Sequence, residues 1–256
     1  ALWPAMLISA GLPLPKQVFA HGFVYNKGAK ISKSAGTAID PMDVYRTHGA
    51  DAFRYYFLKE CPFGGDGNYS DERFTEVYNA DLANNLGNLY SRSLSMAVKY
   101  FHGKLDGIAS IDLTAWRGEL DLPRLVAELK ELIGSFQYSA ALQRIWLEVL
   151  DVANKYIQST EPFKLIKTDP AACHAVLANL SDAVRVIAIL IKPFLPRTAE
   201  TFYHAFDYEK VRPWHEVAYD DAVQPLAADT LAITAALVNG KPVPLFPKIE
   251  AEKSSG

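Results

Sequence analysis

The sequence predicts an α/β remnant followed by an all-α helix bundle, on three observations. Residues 1–70 mix short apolar runs with Gly and Pro and alternate strand-like with helix-like segments, as the end of an α/β domain does. From Asp71 to about Phe206 the apolar spacing is helical throughout, and the connections are short enough for a bundle. Beyond about Ala222 the chain runs into Val243-Pro244-Leu245-Phe246-Pro247, whose prolines permit an extended tail but not a helix. The expected units are therefore 1–70, 71–221 and 222–256, the last read as a C-terminal helix plus an extended tail.

Each element has its own signal. Ala1-Leu2-Trp3-Pro4 begins without Met and reads like the middle of a helix, so the chain is expected to be part of a longer protein. Gln17 to Tyr25 is rich in β-branched and aromatic residues and predicts a strand, with Asn26-Lys27-Gly28 as the turn after it. Asp40-Pro41 is an N-cap with proline at the first helical position, and Gly49 ends that helix. A second short helix covers about Ala50 to Glu60 and stops before Cys61-Pro62.

Phe74, Val77, Tyr78, Leu82, Leu86, Leu89, Ala97 and Phe101 form the apolar stripe of one long helix. Asp121 with Pro123 opens another, which Gly134 closes. Tyr138, Leu142, Ile145, Val149, Val152 and Tyr156 alternate steps of four and three, and Asp169-Pro170 starts a further helix with Leu177, Leu180, Val184, Ile187 and Ile191 on its buried side.

The composition excludes several classes. Half of the 256 residues are apolar, so the chain folds rather than staying disordered. The longest uninterrupted greasy stretch, Ala183 to Ile191, carries Arg185 and closes at Lys192-Pro193, so no membrane span is expected. Cys61 and Cys173 lie far apart, which suggests neither a disulfide framework nor a zinc site; a reducing compartment is the default, expected to be the cytoplasm with an organelle as the alternative. The net charge of -3 argues against a general polyanion binder, yet Lys16, Lys27, Lys30 and Lys33 all precede the first acidic residue, Asp40.

The stretch that carries chemistry is Gly28-Ala29-Lys30-Ile31-Ser32-Lys33-Ser34-Ala35-Gly36-Thr37. Two lysines three apart, among small and hydroxyl residues with Gly on both sides, make a cationic loop. Compact ammonium groups, serine hydroxyls and loop amides together suit the oxygens of a triphosphate. The pentapeptide by itself is equally a solvated basic turn. A second feature is a run of polar residues on the long helix, Asp81, Asn85, Asn88, Arg92 and Ser95, at steps of four and three, read as one polar face.

Lys30-Ile31-Ser32-Lys33-Ser34, preceded by His21-Gly22 and followed by Gly36 and Asp40-Pro41, resembles the KMSKS signature of the class I aminoacyl-tRNA synthetases, with Ile31 in place of Met. Trp3-Pro4-Ala5-Met6-Leu7, Leu12-Pro13-Leu14-Pro15 and Asn79-Ala80-Asp81-Leu82 through Asn88-Leu89-Tyr90-Ser91-Arg92 resemble the methionyl-tRNA synthetases in particular.

The resemblance implies a Rossmann-like class I catalytic domain ending in residues 1–70 and an anticodon-binding bundle after it. It also implies ATP-dependent formation of methionyl-adenylate, with Mg2+, and transfer of the methionyl group to tRNA(Met). On that reading Lys30 and Lys33 are catalytic. His21, Gly22, Ile31, Ser32, Lys33 and Ser34 bind ATP, and Trp3 lines the methionine pocket. Asn88, Arg92 and Phe163 bind the anticodon. No metal ligand is assigned, and zinc in the preceding part is left open.

Relatives carry Trp where Glu161-Pro162-Phe163 offers Phe, which either stacks on a base or packs on its neighbour helix. Trp3 and His21 have bland alternatives too, as packing residue and satisfied histidine. No HIGH-type motif occurs, so residues 1–256 by themselves are expected not to activate methionine and to need the N-terminal catalytic half as partner. Two other readings stand beside this one: a leucyl, isoleucyl, valyl or cysteinyl enzyme, or a non-catalytic tRNA-binding module.

Overall fold

The computed structural model describes residues 2–30 and 40–250, with Ala29 and Lys30 as backbone. Helix α1 (Leu2–Ser9) opens the chain and buries none of its residues. Strands β1 (Val24–Asn26) and β2 (Ala29–Lys30) pair antiparallel, Tyr25 opposite Lys30 and Asn26 opposite Ala29. Lys27 and Gly28 both take positive φ at the turn between them, where glycine is favoured.

The chain then crosses over through α2 (Pro41–His48) and α3 (Ala50–Glu60) to β3 (Gly67–Tyr69), which lies parallel to β1. A parallel pair joined by helices is the α/β arrangement the sequence predicts. The Asp40 side chain caps Met42 N–H, and Gly49, at φ 85°, separates the two helices. The strand expected over residues 17–25 is shorter than predicted. Only its end finds partners, with Phe23 N–H donating to Asp66 Oδ1 and the Phe23 carbonyl accepting Gly67 N–H.

The long helix is continuous but not uniform. It runs as α4 (Asp71–Val77), a π-helical segment (Tyr78–Gly87) and α5 (Asn88–Phe101). The apolar steps Tyr78, Leu82, Leu86 are each four residues, wider than 3.6, and wider winding keeps them on the buried side. Strand β4 (Lys104–Asp106) follows, then α6 (Leu122–Gly134). Next come α7 (Tyr138–Arg144), a second π segment (Ile145–Leu150) and α8 (Asp151–Thr160). The bundle closes with α9 (Pro162–Thr168), α10 (Pro170–Ile191) and α11 (Pro196–Ala205).

Helix α10 is its axis. Every residue from Val176 to Ile191 is buried, Asp182 and Arg185 among them. These two pair with each other, and Asp182 also accepts Trp116 Nε1–H and Arg117 at 3.0 Å each, which satisfies the buried charge. With 22 residues, α10 is long and apolar enough to cross a bilayer, a point the nine-residue reading of Ala183–Ile191 missed. Within the fold it is the core helix, 89% buried over its most apolar window.

No α-helix follows Ala222 among the described residues, contrary to the expected C-terminal helix. Instead β5 (Thr230–Ala232) pairs with β4, and β6 (Leu237–Val238) turns through Asn239-Gly240 into β7 (Lys241–Pro242). The chain then straps across the long helix. Phe246 meets the Tyr78 ring edge-on at 5.9 Å, and Asn79 exchanges two hydrogen bonds with the backbone of Ile249, both 2.9 Å.

Candidate functional site

Two groups of residues carry chemistry, and α3 joins the elements that hold them. At the first, the β1–β2 hairpin ends at Lys30, where the lysine-bearing sequence begins. Its turn is fastened to β3 by Gly28 N–H donating to Asn68 Oδ1 at 2.9 Å and Lys27 N–H donating to the Tyr69 carbonyl at 3.0 Å. Lys30 is the last residue of β2, while Ile31, Ser32, Lys33 and Ser34 lie outside the described residues.

Just before the hairpin, His21 is exposed and its Nδ1 donates to the Gly22 carbonyl at 2.8 Å. A side chain at Gly22 would overlap the Gly65 carbonyl and the Asp66 amide, so only glycine lets these two backbones cross. Trp3 stands on α1 with 74% of its surface exposed, and Leu2, Met6, Ile8, Leu12 and Leu14 are exposed as well.

The second group is on the long helix and is divided differently from the sequence reading. Asp81 and Asn85 do not share a face with Asn88, because the π segment rewinds the helix between them. Asp81 turns inward, where Tyr55 OH donates to it at 2.9 Å, Lys59 pairs with it, and Trp146 Nε1–H reaches its carbonyl at 3.4 Å. Burial and the Asp81 carboxylate both push the Tyr55 phenol well above its usual range, which keeps it a neutral donor. Asn85 bonds Asp151 and Asn154. Tyr55, Lys59, Asp81, Asn85, Trp146 and Asp151 line a cavity of about 390 Å³, in which Lys59 pairs with Asp81 and the Asn85 amide donates to Asp151.

Asn88 and Arg92, one turn apart on α5, face elsewhere. Asn88 is exposed and Arg92 half-buried, and neither side chain has a hydrogen-bond or ion-pair partner among the described residues. Phe163 is the second residue of α9, 43% exposed with Lys164 over its ring at 5.9 Å. Helix α9 packs on α5. An amide, a guanidinium and an exposed ring are the groups that read and stack on unpaired bases.

Sequence reasoning missed the inward role of Asp81 and Asn85 and the capture of the tail by Asn79. The signal available for the first was the repeated four-residue step around Leu82. For the second there was none, since the partner is a backbone group 170 positions away.

Comparison with known proteins is consistent along the chain. Residues 1–94 match the family described as tRNA synthetases class I (M), and residues 121–255 match the anticodon binding domain of methionyl tRNA ligase. A methionine--tRNA ligase of Caldanaerobacter subterraneus subsp. tengcongensis is 38% identical over 258 residues, which cover 98% of this chain and 38% of that protein. One from Rhizobium meliloti is 45% identical over 199 residues, covering 77% of this chain and 38% of the relative. Among solved structures, Mycobacterium tuberculosis methionyl-tRNA synthetase bound by methionyl-adenylate superposes with a TM-score of 0.76 at 33% identity, over 96% of this chain and 47% of that one. The chain thus spans less than half the length of these relatives.

Proposed function

Because this chain belongs to the methionyl-tRNA synthetase family, we propose that it supplies the loop-bearing end of the catalytic domain and the anticodon-binding bundle to a protein that charges tRNA(Met) with methionine. The units in this reading are residues 1–70, 71–221 and 222–256. The observation that carries it is the pair Asn88 and Arg92 on α5, whose side chains have no hydrogen-bond or ion-pair partner among the described residues, in the same chain as the sequence Lys30–Ser34.

In the first step methionine attacks the α-phosphate of ATP and pyrophosphate leaves. Lys30 and Lys33 would hold the phosphates, with Lys33 countering the charge that grows on the leaving group, and Ser32 and Ser34 adding hydroxyl donors beside Ile31. His21 and Gly22 would border the adenosine. The tight backbone crossing at Gly22 favours this, since it leaves a shelf with no side chain. Magnesium, when bound with ATP, would neutralise phosphate charge; none of the described residues is assigned to it. Trp3 would offer its ring to the methionine thioether.

In the second step the acyl group passes to the terminal ribose of tRNA, while Asn88, Arg92 and Phe163 hold the anticodon. The exposed apolar residues of α1 and of the segment after it would be covered by the preceding catalytic half, the largest partner this reading requires. Free thiols at Cys61 and Cys173 suit the reducing cytoplasm, where we place the reaction.

The test is methionine-dependent exchange of pyrophosphate into ATP, followed by charging of tRNA(Met), by the longer protein that contains this chain. Exchange with leucine, isoleucine, valine or cysteine in place of methionine would overturn the assignment.

A further inference from the structure

Helix α6 ends on a phenylalanine in a glycine position. Gly134, expected to close the helix, is only its last residue, and the left-handed position two residues on is taken by Phe136 at φ 63°. Phe136 N–H donates to the Ile133 carbonyl at 3.1 Å and Gln137 N–H to the Leu132 carbonyl at 2.8 Å, the pair of bonds that usually accompanies glycine there. A bulky side chain is strained in that conformation, and such strain persists where the residue has another task.

The task visible in the structure is contact with two rings of the α/β part. The Phe136 ring centre lies 4.2 Å from that of Phe19 and 5.4 Å from that of Phe63, and those two stand 5.3 Å apart, edge to face. Phe19 and Phe63 remain 42% and 39% exposed, so the three rings form a surface clasp rather than a piece of the core. On the bundle side Tyr138 meets Phe136 edge-on at 6.0 Å and in turn meets buried Phe194, which braces the ring.

We propose that Phe136 is a positioning residue for the ATP step: its ring clamps Phe19 and Phe63 together and so fixes the His21–Gly22 segment that borders the adenosine. The inference rests on the functional reading above. Phe19 lies three residues before Gly22, and Phe63 two before Gly65, whose carbonyl leaves no room for a side chain at Gly22. The clasp therefore grips both chains of that backbone crossing. Residues 12–23 belong to no helix or strand, so the segment takes its position from contacts such as this and from Phe23 N–H donating to Asp66. Trp3 stands on α1, outside the clasp, so loosening the crossing weakens ATP and spares methionine.

The experiment measures methionine-dependent pyrophosphate exchange by the full-length protein, with separate KM values for ATP and methionine, and the Kd for tRNA(Met). Phe136→Gly suits the left-handed backbone and removes only the ring. It should raise the KM for ATP about tenfold and leave the KM for methionine and the Kd for tRNA(Met) within about twofold of wild type. Phe136→Tyr, which restores a ring, should return the KM for ATP to the wild-type value. Phe19→Ala should raise it as Phe136→Gly does, and the double variant should lose less than the sum, because the two changes share a contact. Circular dichroism checks folding, and Phe19→Ala carries the test if the glycine variant does not fold. A wild-type KM for ATP in either single variant would overturn the proposal. So would a tyrosine variant as weak as the glycine one, or an equal rise in the KM values for both substrates. If the unmodified protein showed no methionine-dependent exchange, the functional reading beneath the proposal would fail instead.

Discussion

The Asp51 carboxylate on α3 accepts the backbone N–H of Thr198 at 2.6 Å, 147 positions along the chain, and so caps the first turn of α11. The residue before that helix, Leu195, has no side chain able to do so. Three residues further along α3, Arg54 donates to the carbonyls of Pro193 and Phe194 at 2.9 Å each. One helix of the α/β part thereby satisfies both the turn after α10 and the start of α11, which ties α3 to the bundle.

Removing that cap gives a stability prediction. Asp51→Ala should lower the unfolding free energy by about 1–2 kcal/mol, the usual range for a lost cap. Asp51→Asn keeps an acceptor oxygen and should lose less. Urea unfolding followed by circular dichroism measures both, and equal stability of all three proteins would contradict the capping role.

A pH dependence follows from His48, whose ring packs on Phe74 and Tyr78 at 4.9 and 5.8 Å. Burial lowers its pKa, with the Asp71 carboxylate partly opposing, and burial lowers His174 as well. A depressed folded pKa means the unfolded chain binds the proton first. Stability is therefore complete above the unfolded value, roughly 6.5, and falls as the pH drops below it toward the folded pKa. The urea midpoint should hold at neutral pH and decline as the pH falls below about 6.5. His48→Gln should flatten the decline, and a decline as steep in the variant would remove His48 as its source.

Anticodon binding and adenylate formation should separate by mutation. Asn88→Ala and Arg92→Ala in the full-length protein should each raise the KM for tRNA(Met) by roughly tenfold or more. Methionine-dependent pyrophosphate exchange, which uses no tRNA, should stay within twofold of wild type. A matched fall in both activities would indicate a folding role for these side chains.

Residues 1–256 expressed alone should support no measurable methionine-dependent pyrophosphate exchange, since the chain lacks a HIGH-type motif. Robust turnover by the isolated chain would show that its own residues complete the site.

Much of the fold was legible because its signals are local. Asp40-Pro41 and Asp169-Pro170 cap helices as their side chains and fixed φ dictate, and Gly49 breaks the chain where positive φ is needed. The stripe from Tyr138 to Tyr156 faces inward at Leu142, Ile145 and Val149 as its spacing requires, whereas α10 is buried on every side from Val176 to Ile191 and not only along its expected face. What could not be read depended on distant partners. The strand expected from Gln17 finds a pairing strand only at its end, and the helix expected after Ala222 gives way to β5 because β4 supplies an edge for it.

The polar face from Asp81 to Ser95 looked single because uniform winding was assumed. The π segment splits it into an inner cluster at Asp81 and Asn85 and an outer pair at Asn88 and Arg92. Of the candidate site, Asn88, Arg92 and Phe163 stand exposed or half-exposed on the bundle, and His21 and Gly22 precede the hairpin that ends at Lys30.

The most direct measurement is pyrophosphate exchange by the full-length protein carrying Lys33→Ala, alone and with Lys30→Ala. Loss of one such charge from a departing pyrophosphate should slow the exchange by about 100-fold or more, with the KM for methionine little changed. Exchange at the wild-type rate in the double variant would show that these lysines do not meet the phosphates.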